Sequence, residues 1–73
     1  MAEELERRIT LRAARQNKGL EMPAAAAKLG ITVYSLRNYE RYKVSVPLVV
    51  AWKMSRLYAV PLQCLDPGPD LLL

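Results

Sequence analysis

Between Val33 and Arg41 the sequence gathers the side chains best suited to chemistry in this chain: Val33, Tyr34, Arg37, Asn38 and Arg41. On a helix whose inward stripe is Leu36, Tyr39 and Glu40, at i, i+3 and i+4, these five fall on the opposite side. That outer face carries no acid. An amide suits the edge of adenine, a guanidinium suits guanine or phosphate, and methyl groups suit thymine. The combination is the chemistry of direct readout in the DNA major groove.

Other chemistries are excluded by what is missing. With no histidine and the single Cys64 among 73 residues, the usual zinc sites, the Ser-His-Asp triad and the Cys-His nucleophile pair cannot be assembled in one chain. No general base stands beside a nucleophile, so an enzyme is not expected, nor a metal, cofactor or small-molecule ligand. A lone cysteine fits a reducing, cytoplasmic setting, where small domains do without disulfides. Met1 to Arg8 mixes three Glu with two Arg and does not read as a signal peptide. The apolar run Val46 to Trp52 is far short of the roughly 20 residues a membrane helix needs.

The net charge of +4 conceals a segregation. All 11 basic residues lie between Arg7 and Arg56, where Glu21 and Glu40 are the only acids, giving that segment +9. Glu3, Glu4, Glu6, Asp66 and Asp70 supply the balancing −5 at the ends. A basic helical body of this kind suits a polyanion.

Helix formers and breakers place these residues on an all-α scaffold, a compact bundle of about five short helices. Glu3 to Asn17 is rich in strong helix formers and is closed by Lys18-Gly19. Met22 to Leu29 has Pro23 in its opening turn and Gly30 at its close. Its four alanines, Ala24 to Ala27, suit a close helix crossing. Thr32 can cap a third helix running to about Arg41. Pro47 opens a fourth that reaches Tyr58 or Ala59, and a short fifth after Val60-Pro61 holds Leu62 and Leu65. Residues 1–65 then form one helix-turn-helix domain, and Asp66-Pro67-Gly68-Pro69 begins a flexible or partner-docking tail over residues 66–73.

Two short helices about a glycine turn, Met22 to Leu29 and Val33 to Arg41, make the arrangement of a helix-turn-helix. Here the chain resembles the Cro and phage-repressor type (lambda-repressor-like) DNA-binding proteins, over Leu11 to Leu65. The resemblance is carried by Arg15-Gln16-Asn17-Lys18-Gly19-Leu20, Ala26-Ala27-Lys28-Leu29-Gly30-Ile31-Thr32, Ser35-Leu36-Arg37-Asn38-Tyr39-Glu40-Arg41 and Met54 to Leu65. It implies a double-stranded DNA partner, with Thr32, Val33, Tyr34, Arg37 and Asn38 facing bases or nearby phosphates. Val33 and Tyr34 could instead pack against the protein, and Arg37 could meet only phosphate. It also implies a structural pair, Arg15 with Glu40, and phosphate contacts from Lys18, Arg41 and Lys43.

The chain departs from the family pattern at several places. Met22 stands where glutamine often holds a phosphate, Pro23 removes an N–H from the same turn, and Glu21 adds a negative charge. Tyr42 takes a position usually given to glycine, so the turn there differs or is strained. Ala25 replaces a leucine, leaving space for Tyr39 or Trp52. The resemblance implies a transcriptional regulator of phage or bacterial type that acts as a homodimer through its C-terminal region. Two alternatives stand beside it. One is an adaptor that kept the fold and lost DNA binding. The other is a MerR or excisionase-like protein, since Leu36 to Arg41 also fits that motif, although a helical Leu48 to Tyr58 follows where those proteins have a wing.

Overall fold

The computed structural model describes residues 8–66. Among these residues four α-helices follow one another, α1 Leu11–Asn17, α2 Met22–Leu29, α3 Val33–Glu40 and α4 Leu48–Tyr58, and a 3-10 turn spans Leu62–Cys64. The expected fifth helix is this single 3-10 turn. Its brevity follows from Pro61 at its head and from Leu65 leaving in extended conformation at φ −76°, ψ 129°.

The first described helix begins at Leu11, and Arg8 to Thr10, part of the expected helix, are not helical; residues 3–7 of that expectation lie outside the described residues. Two interactions set that start. The Thr10 hydroxyl accepts from the Ala13 N–H at 3.1 Å, capping the first turn. Ile9 is held in a parallel bridge beside Leu65, its N–H donating to Cys64 C=O at 2.8 Å and its C=O accepting from Asp66 N–H at 2.9 Å. A residue whose backbone is already paired elsewhere cannot continue a helix, whatever the propensity around it.

The core gathers Leu11, Leu29, Leu36 and Met54, with Ala14, Ala25, Ala26, Val46, Val50, Tyr58 and Leu65 around them. Ala25 and Ala26 are both buried, so the methyl-sized face of α2 lies against its neighbours. Trp52 does not fill the space beside Ala25. It is 52% exposed, with the Arg56 guanidinium 5.1 Å from its ring centroid. Tyr39 is the one that packs against the core.

Among the described C-terminal residues Tyr58 and Leu65 are buried, Leu57 and Val60 half-buried, and Leu62 is exposed; Leu71 to Leu73 lie outside the described residues. Leu48, Val49 and Trp52 instead stand out on the far face of α4, with Val44 just before it. No described helix is long and apolar enough to cross a membrane.

Candidate nucleic-acid interface

The turn between α2 and α3 is made by Gly30, at φ +74°, which closes α2 in the left-handed conformation that costs glycine little. Its N–H returns to Ala27 C=O at 3.2 Å, and Ile31 N–H to Ala26 C=O at 3.0 Å. Thr32 then starts α3, its Oγ1 accepting from Ser35 N–H at 3.0 Å while its hydroxyl donates to Ser35 Oγ at 3.1 Å. Leu36, fully buried, fixes the rotation of α3 about its axis.

With that rotation set, Tyr34 projects outward, 70% exposed, Arg37 is exposed along the same helix, and Arg41 is exposed at the cap that closes it. Asn38 is half-buried at the edge of this face. Val33 is half-buried and packs against the core, and Thr32, though exposed, is engaged in capping. Lys18 and Lys43 are exposed at the ends of α1 and of the turn after α3.

The far end of α3 is anchored by charge. Arg15 Nε donates to Glu40 Oε2 at 2.7 Å and Nη2 donates to Oε1 at 3.1 Å, a two-pronged pair whose side chains are 9% and 4% exposed. Arg15 Nη1 also donates to Leu20 C=O at 2.9 Å, so one guanidinium ties α1, the turn into α2 and α3. Glu40 raises the Arg15 pKa through the hydrogen bond, against the opposing effect of burial. Tyr58 lies near the pair, its buried hydroxyl without a hydrogen-bond partner among the described residues. Burial pushes its pKa up to about 12.

Beyond Glu40, Tyr42 occupies the left-handed region at φ +59°, where a glycine would rest without strain. Its hydroxyl accepts from Leu11 N–H at 3.5 Å and donates to Asp66 C=O at 3.1 Å, linking the turn to both ends of the described chain. Burial raises this phenol's pKa too, with the Leu11 N–H acting against the rise.

Between α1 and α3 lies an open cleft of about 290 Å³ lined by Arg12, Arg15, Met22, Arg37, Glu40 and Arg41. Arg12 escaped the sequence reasoning, although its spacing of three from Arg15 puts both on one side of α1. At the start of α2, Glu21 makes no side-chain capping bond and Pro23 brings no N–H.

The profile of the helix-turn-helix family matches residues 11–63. The chain belongs to that family, in its Cro and lambda-repressor branch. It is thereby a helix-turn-helix protein of a DNA-binding regulatory kind, and the matched stretch covers α1 through α4 and most of the 3-10 turn. No curated protein and no solved structure matches this helix-turn-helix chain significantly.

Proposed function

We propose that the protein is a sequence-specific double-stranded DNA-binding transcriptional regulator of the Cro or repressor kind, which lays α3 in the major groove. The observation that carries this reading is the acid-free outer face of α3, rigidly presented by the Thr32 cap, the buried Leu36 and the Arg15–Glu40 pair. Tyr34 and Asn38 are the base readers, Arg37 and Arg41 sit beside them, and Lys18 and Lys43 meet the flanking backbone. Thr32 and Val33 contribute at the entry to the groove through methyl groups. Two copies reading half-sites one DNA turn apart give a domain this small its specificity. Leu62 in the C-terminal region and Leu48, Val49 and Trp52 on α4 are exposed apolar side chains suited to a two-fold contact.

Selection from a random duplex pool followed by a Tyr34→Ala/Asn38→Ala variant tests the reading. The expected loss is at least about thirtyfold on the selected duplex, from about 1 to 3 kcal/mol per lost base contact, with little change on a scrambled one. Unchanged discrimination removes these two residues from the reading face. A protein-binding adaptor is the competing role, favoured by the exposed Leu48, Val49 and Trp52. Wild-type protein that binds no duplex from the pool at low salt, while capturing one protein partner, would decide for it.

A further inference from the structure

The exposed face of α4 divides along its length. Leu48, Val49 and Trp52 stand at its start, 75%, 59% and 52% exposed, and the exposed Lys53 and Arg56 follow them on the same side. Val50, Met54 and Tyr58 turn the opposite side of the helix into the core, so the rotation of this face is fixed. α4 contains no acid, and neither cation has an ion pair among the described residues. An exposed apolar side chain on its own needs no explanation. Three together on one rigid helix, bordered by cations, mark a contact surface.

We infer that this face docks an acidic amphipathic helix of another protein, whose apolar side chains seat on Leu48, Val49 and Trp52 and whose carboxylates meet Lys53 and Arg56. Charge chooses the occupant. A two-fold contact presents the same patch from both sides, so two copies joined through α4 bring together four cations and no carboxylate. Each cation covered in that way loses water without gaining a partner. The two-fold contact of a dimer is then left to the C-terminal region around Leu62. Arg56 is already prepared for a carboxylate. Its guanidinium is held over the Trp52 ring, 5.1 Å from the centroid, a placement that keeps N–H groups free at its edges for a forked contact. Trp and Arg are also among the residue types that most often dominate the energy of a protein contact. The partner is a helix because α4 offers ridges for another helix and no free backbone edge for a strand. At 1.5 Å per residue, Leu48 and Arg56 are about 12 Å apart along the axis, so the partner's carboxylates lie about two turns from its first apolar anchor. The docking needs nothing from α3 and holds whether or not the protein reads DNA.

Selection of a library of random displayed peptides on the wild-type chain is the test. The enriched peptides are expected to carry apolar residues at helical spacing followed by Asp or Glu. Trp52 is the only tryptophan in the chain, so a tryptophan-free winner should shift its emission to the blue on binding. Lys53→Gln/Arg56→Gln should weaken that peptide about tenfold, through the loss of two exposed ion pairs. Leu48→Ser/Val49→Ser should abolish its binding, with a thermal midpoint close to that of wild type because both residues are exposed. Lys53→Glu/Arg56→Glu, taken through the same selection, should return peptides rich in Lys and Arg instead, a result that stands even if the apolar variant fails to fold. Winners without acids, winners that bind the charge variants as tightly as wild type, or no enrichment at all overturn the proposal. Sedimentation of the protein, alone and with phosphatidylglycerol vesicles, covers the other occupants. Self-association or vesicle binding that Leu48→Ser/Val49→Ser removes gives the face to a second copy or to an anionic membrane, and overturns it equally.

Discussion

The two ends of α3 are held by opposite means. At its start, Gly30, Ile31 and Thr32 do everything within a few residues: a glycine supplies the left-handed turn and a hydroxyl caps the helix three residues on. At its finish, the fixing groups come from afar, Arg15 across 25 residues of sequence to Glu40 and Tyr42 across 31 to Leu11. A positive φ occurs on both sides, in a glycine at one and in a tyrosine at the other. The difference teaches that the start of the recognition helix is a local property of the chain, whereas its far end exists only once the whole domain has closed.

The largest test of this contrast is to cut the far anchor. Glu40→Ala leaves Arg15 buried and unpaired and should cost about 3 to 5 kcal/mol in urea unfolding. Arg15→Met/Glu40→Met, which removes both charges, should cost less than either single loss. A double variant as unstable as the sum of the two would show that the ion pair is not what holds this end.

Alkaline titration probes the same end more gently. Tyr58 titrates at about 12 in the folded chain against 10.0 ordinarily, so the folded state keeps its proton longer. The stability tied to that proton is fully present below pH 10 and is lost as pH rises towards 12, by roughly 2 to 3 kcal/mol. Tyr42 shifts in the same direction. Urea unfolding between pH 8 and 11.5 should show the decline, and Tyr58→Phe should flatten it. At neutral pH that variant should stay within about 1 kcal/mol of wild type, because the hydroxyl has no partner to lose.

The smallest effects set the two left-handed residues against each other. Gly30→Ala should cost about 1 to 2 kcal/mol from backbone strain alone, since an added Cβ meets nothing within 4 Å. Tyr42→Gly relieves a comparable strain yet should still destabilise, because it removes both hydrogen bonds of the hydroxyl. A stabilised Tyr42→Gly would make the two ends alike after all.

This contrast also explains what could be seen in the sequence. Pro23, Gly30 and Thr32 mark α2, the turn and α3 within two residues, because caps and breakers act locally. The pairing of Arg15 with Glu40 came from family resemblance, and the charges by themselves did not demand it. Glu and Arg favour helix everywhere, so the composition carries the first helix through Arg8 to Thr10, and nothing near Ile9 announces a bridge to Leu65. Trp52 could not be placed from Val46 to Trp52, an apolar run without helical period. The arginine cleft was invisible for a similar reason, since Arg12 and Arg41 meet only after α1 and α3 pack.

The bridge between Ile9 and Leu65 has a mechanical side. Its two segments run parallel, so tension applied to the chain on either side of the described domain pulls them along their length in opposite directions. Both bonds, at 2.8 and 2.9 Å, are then loaded together in shear and cannot be peeled apart in turn. Every described helix lies inside the span this clasp closes, so α3 feels no load until the clasp has given way.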